Sequence, residues 1–238
     1  MTELLDESLW PGKVGPRWEA QMISHVENCD CKAFMGKFPD KFFDLAVVDP
    51  PYGIGAECGT NQATRARFKH RKADNWDTSP PDTAYFNELR RVSKNQIVWG
   101  GNYFSPGYFK HFFVWDKGLR GLAFGDCEMA VGSFDQVPRV FTFNPTHPKN
   151  RMNKIHPVQK PIDLYKFILA KYAKAGDKIL DTHLGSGAHR IAAHQMGLDF
   201  WASELDPGYF ADSCEWFESV AAQGDLFEPT VPTQAELI

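Results

Sequence analysis

The sequence predicts an α/β protein with a mainly parallel sheet and helices on both faces. Short apolar runs at 43–49, 95–101 and 178–183 have the length and composition of buried strands. Segments between several such runs repeat apolar residues at helical spacing. Because strands that alternate with helices favour parallel connections, we expect a parallel sheet between two layers of helices.

The predicted elements follow in a consistent order along the chain. A helix is expected over 80–94, where apolar residues recur at helical spacing. Three strand-like runs without a helix between them come next, at 111–117, 127–134 and 139–144. The helix predicted over 161–176 opens on a proline and ends at a glycine. Strand and helix then alternate again, over 178–183, 187–197, 199–206 and 207–223.

Length and composition predict one globular domain, over residues 1–222, followed by a flexible tail over 223–238. No apolar run approaches the roughly 20 residues that a membrane-spanning helix needs. The acidic amino terminus does not resemble a secretion signal. The five cysteines are odd in number and contain no C-x-x-C pair, which is typical of a reducing compartment. We therefore expect a cytoplasmic protein without a metal site.

Basic residues are concentrated in two acid-free runs, although the net charge is -4. The first run, between 57 and 74, contains Arg65, Arg67, Lys69, Arg71 and Lys72. The second, from 136 to 162, contains Arg139, Lys149, Arg151, Lys154 and Lys160. Local positive patches of this kind can bind phosphates on a protein that is acidic overall, because salt screening limits the range over which charges act. For either run alone, the alternative is a solvated surface loop.

A glycine-containing turn follows the strand predicted over 178–183. Gly185 and Gly187 lie where the chain enters the next helix, so the backbone can approach a nucleotide-like ligand. Glu204, at the end of the following strand, can accept hydrogen bonds from ribose hydroxyls. Arg190 stands where a dinucleotide fingerprint has its third glycine, which favours an adenosine over a diphosphate. An ordinary strand-to-helix turn is the alternative.

Three motifs together resemble a known family. They are Asp49-Pro50-Pro51-Tyr52 at the end of an apolar strand, HPVQKP at 156–161, and LDTHLGSG at 180–187. The first resembles the catalytic motif of amino-group DNA methyltransferases. The second resembles the segment that these enzymes place just before their cofactor loop, and the third resembles that loop. Their order is that of the beta class, which implies a circularly permuted, Rossmann-like methyltransferase fold. The resemblance covers roughly residues 28–212.

The resemblance implies a catalytic role for Asp49, Pro50, Pro51 and Tyr52. An exocyclic amine is a poor nucleophile because its lone pair is delocalised into the base. The Asp49 carboxylate and the Pro50 carbonyl would accept the amine hydrogens and localise that lone pair. The prolines fix the backbone, and Tyr52 supplies a flat face for a base flipped out of double-stranded DNA. A cis-proline or strand-capping turn is the alternative.

The resemblance also implies S-adenosylmethionine as the cofactor. Asp30 resembles the acid that contacts the adenine, and Glu204 the acid that contacts the ribose. His156, Gln159 and Lys160 would hold the methionine carboxylate at a helix start. The remaining candidates are Asp49, Asp181, His183, Gly185, Ser186 and Gly187. Thr182 and His183 depart from the proline and phenylalanine that are usual here, so the His183 ring would stack in place of phenylalanine.

The two basic runs are the candidates for DNA binding. Arg65, Arg67, Lys69, Arg71 and Lys72 lie in a loop at about 56–75, directly after the catalytic motif. Arg139, Lys149 and Arg151 lie in the region 117–155, where the family keeps its target-recognition segment. Phosphate contacts there would give affinity, and some side chains would read bases.

A short peptide near the carboxyl end indicates a second partner. Gln223, Leu226 and Phe227 lie in QGDLF, which resembles the peptide by which bacterial proteins bind the replication sliding clamp. Gly224 stands where leucine is usual in that peptide. A frayed terminus that packs back on the domain is the alternative. Relatives of the beta class are often dimers, so a homodimer is a further expectation.

The function expected from these observations is site-specific methylation of the N6 amine of adenine in DNA, in a bacterial or phage-infected cell. In the family that the chain resembles, aspartate at the position of Asp49 favours adenine and serine favours cytosine, so N4-cytosine methylation is the first alternative. The second is a DNA-binding regulator that has kept the fold and lost turnover, suggested by Thr182 and His183.

Overall fold

The structure is a computed structural model that describes residues 22–55, 77–104, 109, 111–121, 125–147 and 154–225. Its strands are β1 Ser24–Asn28, β2 Phe43–Val48, β3 Ser93–Trp99, β4 His111–Asp116, β5 Cys127–Gly132, β6 Arg139–Thr142, β7 Lys178–Asp181 and β8 Asp199–Glu204. Its helices are α1 Cys31–Met35, α2 Thr83–Val92, α3 Ile162–Tyr172, α4 Ala188–Gln195 and α5 Pro207–Asp225.

The eight strands form one sheet in the order β1-β8-β7-β2-β3-β5-β4-β6. Neighbouring strands are parallel except where β5 pairs antiparallel with β3 and with β4. The predicted mainly parallel sheet is therefore confirmed. β7 comes late in the chain but lies near the centre of the sheet, as the permuted motif order requires.

Helices cover both faces of the sheet because the central strands alternate their buried side chains. Leu45 and Val47 of β2 pack into one apolar cluster, while Ala46 and Val48 pack into the other. The first cluster contains side chains of α3 and α4, with Phe210 of α5 packed against it. The second contains side chains of α1 and α2. The predicted two layers of helices are confirmed.

The parallel central strands bring four chain segments to one edge of the sheet. Asp49 follows β2, Gly100 follows β3, Thr182 follows β7, and Glu204 ends β8. Because these strands run in the same direction, their carboxyl ends share an edge, and ligands bind there in open α/β sheets.

The sequence reasoning missed two elements and misplaced several boundaries; the helix predicted over 80–94, for example, ends at Val92, and β3 begins at Ser93. β1 was missed because SHVEN contains few apolar residues; it is an edge strand that pairs in parallel with β8. α1 was missed because it is only five residues long, and it is capped by Asp30. α5 continues to Asp225, so residues 223–225 of the predicted flexible tail are helical. Residues 226–238 lie outside the described residues.

Within the described residues, no helix is long and apolar enough to cross a membrane. The same residues contain no group of three or more His, Cys, Asp or Glu side chains that could hold a metal ion.

Candidate active site

Asp49 is held at the end of β2 by two side chains. Its Oδ2 lies 2.5 Å from Nζ of Lys160, and its Oδ1 accepts a hydrogen bond of 2.7 Å from the Tyr52 hydroxyl. The ammonium of Lys160 also donates to the Tyr52 hydroxyl at 3.2 Å. Because β2 is buried along almost its whole length, the strand end is a rigid support for this group.

The ion pair continues into a chain of alternating charges, Asp49–Lys160–Glu128–Lys117. Oε2 of Glu128 lies 3.1 Å from Nζ of Lys160, and its Oε1 lies 2.8 Å from Nζ of Lys117. The Lys160 side chain is only 3% exposed, so these charges are poorly screened by water. Sequence reasoning missed Glu128 and Lys117 because neither lies in a motif.

The protonation states in this chain follow from burial and neighbouring charges. Burial raises the pKa of Asp49 above its ordinary value, although Lys160 opposes the shift. Burial acts to lower the pKa of Lys160, but the charges of Asp49 and Glu128 outweigh it and raise that pKa. For Glu128, burial is outweighed by the two lysines, which lower the pKa to about 2. Lys160 and Glu128 are therefore charged at neutral pH.

The backbone of the Asp49–Tyr52 turn is fixed by Asp77. Oδ1 of Asp77 accepts hydrogen bonds from the backbone N–H of Tyr52 at 2.6 Å and of Gly53 at 2.8 Å. The described residues contain no cis peptide bond, so the cis-proline alternative does not apply to this turn. Sequence reasoning missed Asp77, which is a buried acid. Its carboxylate supplies acceptors for backbone N–H groups that a proline-rich turn leaves unpaired.

The Tyr52 ring is enclosed by residues that follow β3. It stacks on the Tyr103 ring with centroids 5.1 Å apart and planes at 16°. Gly100 has a φ of +75°, and a Cβ there would lie 2.2 Å from Cε1 of Tyr52. Only glycine suits both that conformation and that contact. The face of Tyr52 that was predicted to stack on a base is therefore covered by Tyr103.

The glycine turn after β7 is held by Asp181 and Glu204. Oδ1 of Asp181 accepts from the backbone N–H of His183 at 3.0 Å. Oε2 of Glu204 accepts from the backbone N–H of Gly185 at 2.8 Å. Gly187 begins α4 with a φ of +79°, and its missing Cβ allows close packing against Ser213. The two acids shape the turn, and their contacts with a cofactor remain predictions.

The unusual Thr182 and His183 form a hydrogen-bonded group with Tyr85, in which Thr182 and Tyr85 are buried. The hydroxyls of Tyr85 and Thr182 lie 2.7 Å apart, and Oγ1 of Thr182 lies 2.9 Å from Nδ1 of His183. Burial lowers the pKa of His183 to about 4, so its ring is neutral at pH 7. The hydrogen bonds satisfy side chains that would otherwise be costly to bury.

A cavity of about 300 Å³ joins the predicted catalytic and cofactor segments. It is lined by Pro51 of the catalytic turn, His183 of the glycine turn, Tyr85 of α2, and Cys31 and Lys32 of α1. Asp30 lies directly before this lining, where its Oδ1 accepts from the backbone N–H of Lys32 at 2.9 Å and of Ala33 at 3.0 Å. Its predicted contact with an adenine remains a prediction.

The segment before α3 lies against the glycine turn. The His156 ring packs on Tyr209 at 4.3 Å, and its Cδ2 lies 3.9 Å from the position of a Cβ on Gly185. Gln159 is buried, and its Oε1 accepts from the backbone N–H of Ile155 at 2.9 Å. Within the described residues, its Nε2 is buried and has no hydrogen-bond partner. Lys160 differs from expectation because its ammonium contacts Asp49.

Contacts within the protein hold three further polar side chains, those of His189, Arg190 and Ser186. Nδ1 of His189 lies 3.1 Å from Oδ2 of Asp181, and its ring stacks on Tyr165 at 4.6 Å. Arg190 donates to Ser24 Oγ at 2.9 Å and lies over the Phe217 ring at 3.7 Å. Ser186 is buried, and its Oγ accepts from the backbone N–H of Ala188 at 3.4 Å.

The structure describes few of the predicted DNA-binding residues. Arg139 is exposed on β6, the edge strand of the sheet. Outside the described residues lie Arg65, Arg67, Lys69, Arg71, Lys72, Lys149 and Arg151, together with Leu226 and Phe227 of the clamp-like peptide. Gln223 lies in the last turn of α5. The DNA-binding and clamp-binding roles stay predictions.

Known sequences place these features in one family. The N6/N4 DNA methylase family matches residues 98–215, which contain Glu128, Lys160 and the glycine turn. The type II methyltransferase M2.DpnII of Streptococcus pneumoniae is 29% identical to the chain over 126 residues. That match covers 48% of this chain and 47% of M2.DpnII, so the chain spans about half the length of this curated relative.

Solved structures share the fold. The M1.HpyAVI–SAM complex has a TM-score of 0.54 and 14% identity, with coverage of 80% of this chain and 97% of that chain. The PvuII DNA methyltransferase, which is cytosine-N4-specific, has a TM-score of 0.55 and 12% identity, with coverage of 85% and 93%. At these identities the likeness establishes the fold.

The chain matches the N6/N4 DNA methylase family over residues 98–215, and the comparisons support an amino-methyltransferase of the beta class. Its motif order, with Asp49 ahead of the glycine turn, is that of the beta class of amino-methyltransferases. The resemblance read from the sequence is thereby confirmed, and the comparisons support S-adenosylmethionine as the cofactor.

The residues present fit this cofactor. The cavity beside His183 offers a flat neutral ring and proline surfaces of the kind that an adenine packs against. A Cβ on Gly185 would make only ordinary contacts, so the turn leaves room beside His156. The buried Nε2 of Gln159 is a donor for which the described residues hold no partner, and a ligand acceptor would satisfy it.

We predict that the pH dependence of kcat/KM moves in opposite directions when the two neighbours of Asp49 are neutralised. The predicted role of Asp49 as an acceptor requires its ionised form, so kcat/KM should fall as the pH drops through its pKa. Lys160→Met removes a charge that lowers this pKa, so the acid limb should move to higher pH. Glu128→Gln removes a charge that raises it, so the acid limb should move to lower pH.

The measurement is kcat/KM for methylation across the acid range for both variants and the wild type. Asp163→Asn, an acid in the first turn of α3, is the matched control and should leave the limb in place. Shifts of both variants in the same direction would contradict the assignment of the limb to Asp49.

We predict that Gly100→Ala destabilises the protein more than Gly118→Ala does. Both glycines have positive φ, so each substitution should lower the unfolding free energy by about 1–3 kcal/mol through backbone strain. At Gly118 the nearest atom to a Cβ is 3.7 Å away, whereas at Gly100 the Tyr52 ring is 2.2 Å away. Overpacking should therefore add about 1–3 kcal/mol at Gly100 alone. Denaturant unfolding of the two variants measures the two losses of unfolding free energy. Equal losses would contradict the close contact between Gly100 and the Tyr52 ring.

Proposed function

We propose that the protein is an S-adenosylmethionine-dependent DNA methyltransferase that methylates the N6 amine of a flipped adenine. The observation that carries the proposal is the Asp49 carboxylate, fixed at a strand end beside a cavity that adjoins the glycine turn. The match to the N6/N4 DNA methylase family supports the same reaction.

Asp49 acts as an acceptor for the amine hydrogens of the target base. Tyr52 and Lys160 each engage one of its oxygens, and a carboxylate has about four lone-pair sites, so acceptor capacity remains on both. When Asp49 accepts hydrogen bonds from the amine, it favours a localised lone pair on the nitrogen. It also stabilises the positive charge that develops on that nitrogen. When bound, S-adenosylmethionine supplies an electrophilic methyl group on a sulfonium.

Lys160 keeps Asp49 ionised and oriented. Its positive charge lowers the pKa that burial would otherwise raise further. Glu128 holds the other side of the same ammonium, so Lys160 is fixed between two carboxylates. A charged group held in a poorly hydrated site requires little reorganisation during the reaction.

Asp49 favours adenine as the target, because serine at this position is associated with cytosine in the resemblance. N4-cytosine methylation is the second candidate, since it requires the same acceptors. The fold likeness to the cytosine-N4-specific PvuII enzyme is the observation that favours it. A DNA-binding regulator without turnover is the third, motivated by Thr182 and His183, although the hydrogen bonds of these residues give them a packing role.

The expected partners follow from the proposed reaction. Double-stranded DNA is the substrate, and the cytoplasm of a bacterial or phage-infected cell is the expected location. Binding of the sliding clamp through Gln223, Leu226 and Phe227, and homodimer formation, remain predictions without structural support.

The test is incubation of the purified protein with S-adenosylmethionine and unmethylated bacterial DNA, followed by mass spectrometry of the digested nucleosides. We expect N6-methyladenine, and we expect Asp49→Asn to lower kcat by at least about 100-fold because an acceptor in the transition state is lost. Asp163→Asn, which lies outside the cavity lining, is the matched control and should retain wild-type kcat.

The products separate the candidates. N4-methylcytosine would keep the mechanism and replace the target base. Methylation that persists in Asp49→Asn would remove Asp49 from the reaction. A protein that binds DNA but neither binds the cofactor nor forms either product would be the regulator.

A further inference from the structure

The turn after β3 carries an aromatic residue that the proposed function does not use. Tyr103 is 49% exposed, a large fraction for an aromatic side chain, yet its ring stacks on Tyr52. The next residue, Phe104, points to the interior and packs against Phe86 at 5.4 Å. Tyr103 therefore lies at the solvent side of the Tyr52 ring.

The stack leaves no room for a base between the two rings. A base inserted between parallel rings needs about 7 Å from ring to ring, twice the contact distance of about 3.5 Å. The Tyr52 and Tyr103 centroids are only 5.1 Å apart. A flipped base can therefore stack on this face of Tyr52 only after one ring moves.

Tyr52 is the ring that cannot move freely. Its hydroxyl is bound to Asp49 and Lys160, and its backbone N–H to Asp77. The backbone of Gly100 lies directly against its ring. Tyr103 is the half-exposed member of the pair, so it is the ring that can turn away into solvent.

The turn that carries Tyr103 has a fixed base. The backbone N–H of Gly100 donates to Met129 of β5 at 2.9 Å, and a Cβ on Gly101 would clash with Val131. The backbone N–H of Tyr103 closes the turn on the Gly100 carbonyl at 2.8 Å. Movement of Tyr103 therefore does not require the sheet to move.

We propose that Tyr103 is a place-holder, which covers the stacking face of Tyr52 in the DNA-free protein and leaves when the target base enters. This inference rests on the proposed function. The stacked state is closed to the base, so its population lowers the apparent affinity for DNA. The stacked Tyr103 ring also shields the Tyr52–Asp49 contact from water before the base arrives.

The test compares Tyr103→Ala with Tyr103→Phe in steady-state methylation of unmethylated bacterial DNA. Aromatic stacking of ordinary strength corresponds to about a two- to tenfold change in an equilibrium. Tyr103→Ala should therefore lower KM for DNA by about two- to tenfold, with kcat unchanged. Tyr103→Phe keeps the stacked ring and should keep the wild-type KM. Phe112→Ala, an exposed aromatic on β4, is the control for loss of surface area and should change neither constant.

The other outcomes overturn the proposal. A higher KM or a lower kcat in Tyr103→Ala would mean that Tyr103 contacts the base or the DNA in the complex. An unchanged KM would mean that the stack does not compete with the base. If Tyr103→Ala is poorly folded, Tyr103→Leu removes the ring and must give the same lower KM. Absence of methylation by the wild type would instead refute the proposed function, and the place-holder role with it.

Discussion

The buried ion pair between Lys160 and Asp49 is the interaction on which the candidate site depends. It joins the end of β2 to the segment before α3, which are 111 positions apart in the sequence. Asp49 alone, at a strand end with little contact to water, would be driven towards its neutral form. Lys160 alone would be a buried cation, which is costly unless it is paired and hydrogen-bonded. Each residue therefore compensates the buried charge of the other. Glu128 also pairs with Lys160, and it pairs in turn with Lys117, which follows β4.

The sheet supplies the geometry that this pair needs. β2, β3, β7 and β8 are parallel, so one edge of the sheet holds the Asp49–Tyr52 turn, the turn of Gly100 and Tyr103, the glycine turn and Glu204. β5 runs antiparallel and carries Glu128 to the side of Lys160. The small residue Gly100 allows β3 to bring its turn against Tyr52. One layer of strand ends thus holds the aromatic, acidic and basic groups within contact of each other.

Much of this arrangement is readable from the sequence, for identifiable reasons. The alternation of strands and helices depends on local periodicity, and Asp49–Tyr52 and the glycine turn are contiguous motifs, so both were predicted. β1 is a short polar edge strand whose partner residues lie 176 positions away, so local pattern does not reveal it. Glu128, Lys117 and Asp77 are single acids and bases whose contacts are made only by tertiary packing. Lys160 was predicted as a cation of the site, but its contact with Asp49 was not. A sequence motif identifies a residue without showing which side chains lie next to it in the folded protein.

The most direct test of the ion pair is a double-mutant cycle on stability with Asp49→Asn, Lys160→Met and the double variant. Each single change leaves the other residue buried with a lost partner, whereas the double change removes both charges. The account predicts that the double variant is more stable than the sum of the single losses implies, by about 0.5–3 kcal/mol in denaturant unfolding. Additive losses of unfolding free energy would contradict it. Two residues whose substitutions have independent effects do not form the ion pair on which the site depends.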